Sequence, residues 1–246
     1  MRVLKVLHVR DVVALCVVFS GLWLGNPAVG AVITVPTGLS VGDQYRLVFV
    51  TSTVHNALSS DISTYNTIVD ALGDTAIASD WKVIGSTATV DAIDNTATPI
   101  TTSGVSIWRL DDVKIADDYA DLWDGIIDNA IRVDELGADQ GTGQYVFTGG
   151  EGEGRGRSQP NTELGSIDEV SVGRIRIDEG AGHSDWIQDA FGWGPNDELR
   201  LLGMSGVLTV QAAAVPEPSS AILLGLVAVG GLIRSRRKRR QASSAA

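Results

Sequence analysis

The residues of this 246-residue chain that could do chemistry gather in a few loops. Residues 148–157, TGGEGEGRGR, have the glycines of a phosphate-cradling loop. They lack the Gly-Lys-Ser/Thr ending and the G-x-G-x-x-G register, and Glu151 and Glu153 would repel a phosphate, so the stretch reads as a surface loop. Directly after it come Ser158, Gln159, Pro160 and Asn161, and further on Asn196 and Asp197. Amide and carboxylate oxygens of this kind suit calcium or sugar hydroxyls, and Trp193 offers a stacking face beside the second pair. The candidate ligand loops are therefore 149–161 and 192–197, with Glu151, Glu153, Asn161, Trp193, Asn196 and Asp197 as the side chains to watch. The bland alternative is a Pro-Asn turn in an ordinary loop.

Other constellations carry less. Asp111, Asp112, Asp117, Asp118, Asp121 and Asp124 are the densest acidic cluster but lack the D-x-[DN]-x-[DN]-G spacing of a calcium loop, so a solvated helix face is expected. His183, Ser184 and Asp185 are consecutive, whereas a catalytic triad needs groups converging from different parts of a fold. Trp81, Trp108, Trp123 and Trp186 are expected in the core.

The elements that must position these loops can be read in order. YRLVFVTS, residues 45–52, is a β-branched and aromatic run of strand length. From Asp61, Ile62, Tyr65, Val69 and Leu72 recur at helical spacing, with Ser59 or Ser60 as a cap and Gly73 as the stop. Residues 81–90 begin a second strand, 91–104 read as a loop, and 104–110 as another strand. Residues 117–130 are expected to form a second helix with Tyr119, Trp123, Ile126, Ile127 and Ala130 on one face. Strands are expected at 144–148 and within 199–210. The fold class is α+β, with about two helices among short strands and long loops. The runs 47–50 and 207–210, apolar on both faces, are expected to pair as central strands and bring the two ends of the domain together.

The two ends of the chain differ in kind from its middle. Residues 1–31 place Arg2, Lys5 and Arg10 before an apolar stretch and small residues at Ala28, Gly30 and Ala31, the form of a secretory signal peptide. Residues 215–246 contain Pro216, Glu217 and Pro218, then 13 apolar residues at 221–233, then Arg234, Arg236, Arg237, Lys238, Arg239 and Arg240. The prolines stop any preceding helix. The apolar run is short against the roughly 20 residues that cross a hydrocarbon core, but its basic flank sits where a stop-transfer segment keeps one. Residues 32–214 are then a single exported domain. That domain has 10 basic and 28 acidic residues, a net of −18 within the chain's −11, which argues against nucleic acid. The only cysteine, Cys16, lies in the leader, so disulfides and thiolate metal sites are excluded. No cofactor is expected, calcium being the one cation these loops would suit.

The order Pro216-Glu217-Pro218, apolar run and terminal arginines closely resembles the PEP-CTERM sorting signal of exported bacterial proteins. The resemblance implies an exosortase, a membrane protease-transpeptidase, as partner. It also implies a membrane-anchored intermediate and a final place on the cell surface or in the extracellular matrix of a Gram-negative-type bacterium. IWRLDD, DLWDG and YVFTGGEGEG are similar to the strand, tryptophan and turn of the C-type-lectin-like fold, its endostatin-like branch in particular, although the disulfides and basic face of that branch are absent. Ser158 to Asn161 resembles the short Gln-Pro-Asp or Glu-Pro-Asn signature of sugar-binding members, with Asn196 and Asp197 in place of their Asn-Asp pair. The expected function is a non-enzymatic adhesion or glycan-binding module, with exopolysaccharide or another glycan as ligand. The rival expectation is an extracellular hydrolase of matrix polysaccharide, which would need two carboxylates about 5 or 6.5–9.5 Å apart across a cleft.

Overall fold

A computed structural model describes residues 30–150, 161–176 and 185–212. In chain order the elements are β1 (Gln44–Val50), α1 (Ile62–Gly73), β2 (Lys82–Val83), α2 (Ala92–Asn95), β3 (Ser106–Arg109) and β4 (Lys114–Ala116). There follow α3 (Tyr119–Leu122), β5 (Tyr145–Phe147), β6 (Val170–Arg174), β7 (Ala190–Trp193), β8 (Leu202–Met204) and β9 (Leu208–Thr209). One sheet has the order β2-β8-β1-β3-β4, with β9 also on β1; a smaller sheet has the order β5-β6-β7. Sheets rich in short strands with one long and two very short helices make a mixed α+β architecture.

β1 organises the larger sheet because both of its faces are apolar, which requires burial on both sides. Tyr45, Leu47 and Phe49 enter a core shared with Tyr65 and Val69 of α1, Trp81, and Phe147, Val170 and Val172 of the smaller sheet. Val48 and Val50 enter a second core with Ile107, Ile115, Leu122, Trp123, Trp186 and Leu202. β1 runs parallel to β3 and antiparallel to β8 and β9.

The first and last strands of the domain lie in one sheet, but the expected pairing of 47–50 with 207–210 does not form. Val48 to Val50 lie opposite Met204 to Leu202, while the 207–210 run pairs with residues 42–45. Ser205 fills the interruption: its Oγ accepts the Leu47 N–H at 2.8 Å and its own N–H donates to Leu47 O at 2.9 Å. The described start of the chain does not lie beside its exit. Gly30 donates to Gly137 O and Ile33 to Leu110 O, toward the Val50 end of β1, whereas Val210 is bonded to Gly42 and Asp43 at the Gln44 end.

Several local expectations are corrected. α1 is capped by Asp61, which accepts the Ser63 N–H at 2.9 Å, and not by Ser59 or Ser60. Gly73 does close α1, but the next residue stays right-handed; glycine is required because a Cβ there would lie 2.5 Å from the Trp81 ring. The expected 117–130 helix is the single turn α3. Asp124 accepts the Ile126 N–H and Gly125 adopts φ 101°, a turn that ends the helix although the apolar spacing continues. Within the expected 91–104 loop lies α2, held to α1 by reciprocal Asn66–Asn95 amide bonds of 2.8 and 2.9 Å. β4, β6 and β7 were not anticipated. The leader up to residue 29 and the segment from 213 onward lie outside the described residues, among which no helix is long and apolar enough to cross a membrane.

Arg46 ties these pieces together from the second face of β1. It is 6 % exposed and has no carboxylate partner among the described residues. Its Nε donates to Tyr119 Oη (2.9 Å), Nη1 to Thr96 O and Ser205 O (2.9 Å each), and Nη2 to Ala97 O (3.3 Å). Arg46→Met should cost about 3 kcal/mol, because it strands buried carbonyl acceptors without donors. Urea unfolding of the purified domain measures this, and a loss well under 1 kcal/mol would show the cation to be dispensable.

Candidate functional site

Beyond Val50 the chain opens into loops that are joined through one residue. Ala57 N–H donates to Pro195 O at 2.9 Å, and Ala57 O accepts the Gly165 N–H at 2.8 Å, so segments 53–61, 161–166 and 194–199 meet there. The two expected ligand loops thus attach at the same end of the larger sheet. Asn161 sits at φ 71°, and its carbonyl accepts the Ser166 hydroxyl at 2.5 Å. Asp197 closes a tight turn: its Oδ2 accepts the Gly194 N–H at 2.8 Å and its own N–H returns to Gly194 O at 3.0 Å. Asn196 is exposed.

Other parts of the expected site are used differently. Trp193 packs toward the core edge, its ring 5.1 Å from that of Tyr145, and is only partly available for stacking. Glu151 and Glu153 lie outside the described residues, as do Pro216, Glu217, Pro218, Arg234, Arg236 and Arg237. Among the described residues no three His, Cys, Asp or Glu side chains converge as a metal site. Trp81, Trp123 and Trp186 are buried, and the first two donate their indole N–H to Ile77 O and Thr98 Oγ1.

The acidic cluster is structural in its contacts. Asp118 caps α3, Asp111 forms a two-point ion pair with the buried Arg109, Asp112 accepts the Thr37 N–H, and Asp117 pairs with Lys114. Burial, aided by the charges of Asp128, Asp124 and Asp117, raises the Asp121 pKa from its ordinary value against the hydrogen bond from the Asp117 N–H. His183 and Ser184 lie outside the described residues, while Asp185 stands 3.7 Å from Arg176. An open cleft of about 410 Å³ lies over Thr142, Gly143, Arg174 and Arg176.

A polar group that the sequence did not reveal sits at the same loop end. Glu135 is 2 % exposed and accepts both the N–H and the hydroxyl of Ser52. His55 Nε2 lies 2.9 Å from Thr53 Oγ1, its backbone pairs with Leu199, and Arg200 Nη1 donates to Thr51 O at 2.5 Å. Burial lowers the His55 pKa, against the opposing pull of Glu198 and Glu135. Among the described residues neither carboxylate hydrogen-bonds the ring, so the hydroxyl–imidazole pair lacks the orienting acid of a nucleophilic triad. These residues come from segments 52–55, 135 and 198–200, and only folding brings them together.

Residues 214–239 match the family model of the PEP-CTERM protein-sorting motif. The protein is thus one that carries an export and sorting address, read by exosortase and directing it to the cell surface or outside the cell. The motif begins four residues after Val210, the last residue bonded to the sheet. No curated protein matches the chain significantly.

His55 gives the loop end a testable pH response. Its folded pKa is below the free value, so the unfolded chain takes up more protons as pH falls through about 6.5. The stability involved is present above that pH and is lost on acidification. His55→Gln should therefore flatten the stability curve between about pH 7.5 and 5.5, modestly because the ring is only partly buried. Superimposable slopes for the two proteins would show that the ring titrates as in the unfolded chain.

Proposed function

We propose that the protein is a non-enzymatic adhesion or glycan-binding module. Exosortase sorts it, after a membrane-anchored intermediate, to the cell surface or matrix of a Gram-negative-type bacterium. The observation that carries the reading is the polarity of the domain. The chain leaves toward its sorting motif from the Gln44 end of β1, while the loops holding Asn161 and Asp197 attach beyond the Val50 end. An anchor at the first end points the second outward. A C-type-lectin-like relationship is part of this reading, supported by the pairing of the domain's first and last strands in one sheet. The ligand is a neutral glycan or a divalent cation with its hydroxyls, since a net of −18 disfavours polyanions. Calcium would be held by Asn161, Asn196 and Asp197, together with Glu151 and Glu153.

Two measurements test this. Intact mass of protein from its own host should show a start near Val32 and loss of residues 234–240; a basic tail retained on the exported form would favour a plain anchor. Retention of the exported protein on its host's purified matrix polysaccharide should fall about tenfold, or ~1.4 kcal/mol, in an Asn161→Ala, Asp197→Ala double variant. If calcium raises the melting temperature of the wild type and not of the double variant, the loops are a cation site by mass action. Unchanged retention in the double variant would remove the loops from the binding surface.

A further inference from the structure

The segments at the end of the sheet from which the chain leaves carry almost no charge. Three reach it: 40–45, which leads into β1; 97–105, which leads into β3; and 205–212, which contains β9. Their 23 residues include one charged side chain, Asp43, in a chain that is 20 % charged. Even Asp43 is turned to local use, its Oδ2 accepting the Ser40 N–H at 2.7 Å. Each segment also exposes an aliphatic side chain: Val41 at 65 %, Ile100 at 41 % and Val207 at 44 %. Charged side chains flank this end on both edges: Asp117, Asp118 and Asp121 follow Ala116 on the β4 side, and Asp80, paired with Lys82, lies against Gly206 on the β2 side.

We infer that this end is a docking face for the lipid surface while the sorting signal holds the chain, an inference that rests on the membrane-anchored intermediate proposed above. The tether forces proximity. Val210 is fixed by its bonds with Gly42 and Asp43, and only ten residues separate it from Ala221 at the start of the apolar run. Even fully extended, that length spans at most about 40 Å, less than three radii of gyration of a domain this size. A domain of net −18 is repelled by an anionic membrane, so the end whose segments carry the fewest charges is the one that can approach. Single aliphatic side chains on separate loops, without an exposed aromatic or arginine anchor among them, suit shallow insertion between headgroups better than a protein hot spot.

The domain has no cysteine, which allows a direct test in a Cys16→Ser background. Val41→Cys reports on the proposed face, and Leu58→Cys, 54 % exposed at the loop end, is the control. Both are labelled with a water-soluble maleimide in host membranes holding the full chain, and again after detergent release. Val41→Cys should label several-fold more slowly in membranes than after release, with Leu58→Cys unchanged. Equal rates for the two would overturn the inference. So would protection of Val41→Cys that disappears in membranes lacking exosortase, since the occupant would then be the enzyme. A full chain recovered only in the soluble fraction would instead remove the anchored intermediate itself, a failure distinguishable because no membrane-held form would exist to label.

Discussion

One buried cation, met by no carboxylate among the described residues, sets the terms on which this domain can fold. Arg46 is inside the protein, so its charge must be met by dipoles. Three carbonyls and a tyrosine hydroxyl do this, and the Tyr119 ring lies 5.3 Å from the guanidinium carbon. Those acceptors come from the end of α2, from α3 and from the β8–β9 junction. A partly satisfied buried guanidinium is strongly unfavourable, so the segments are stable together and poor alone. The acidic field of the surrounding domain works in the same direction, favouring a positive charge at its centre.

The strand that carries Arg46 also fixes the order of assembly. β1 is among the first elements of the domain, and its partners β8 and β9 are the last, with Leu47 bonded to Ser205 across 158 positions. Contacts of such separation close late, because loop entropy must be spent before they are made. The larger sheet is therefore complete only when residue 209 has arrived, and the matched sorting motif begins at 214. Fold and address are thus nearly contiguous, and the exit of the domain is tied down by its oldest strand.

How much of this was legible depends on whether a side chain or a backbone group does the work. β1, α1, β3 and β5 announce themselves by β-branched runs or helical spacing, and the structure has them where the pattern puts them. β6 carries a readable alternation, Val170 and Val172 inward with Ser171 and Gly173 between, but it is short and lies among glycines and charges. The spacing over 117–130 suggests a longer helix than forms, because Tyr119, Trp123 and Ala130 are all buried through a succession of turns that keeps helical spacing. Convergence of the two candidate loops rests on the backbone of Ala57, and the partners of Arg46 are mostly carbonyls. Carbonyls have no signature in a sequence.

The acidity of the domain has a similar explanation. Of its 28 acidic residues 21 are aspartate, the shorter side chain, whose carboxylate reaches a backbone N–H two or three residues away. Eleven described aspartates accept at least one: Asp43, Asp61, Asp70, Asp74, Asp112, Asp118, Asp121, Asp124, Asp134, Asp139 and Asp197. Within the 132–140 hairpin, the Asp134 carboxylate takes the N–H groups of Leu136 and Ala138 and the Gln140 amide, beside the backbone bonds of the hairpin itself. A domain with long loops and no cysteine has no disulfide to pin them, and these bonds pin them, most within one turn and those of Asp70, Asp74 and Asp112 across longer separations. Part of the negative charge is thus tied to ordering loops. This is why its sign constrains which partners can approach but its clusters, Asp117 to Asp124 included, do not by themselves mark a site.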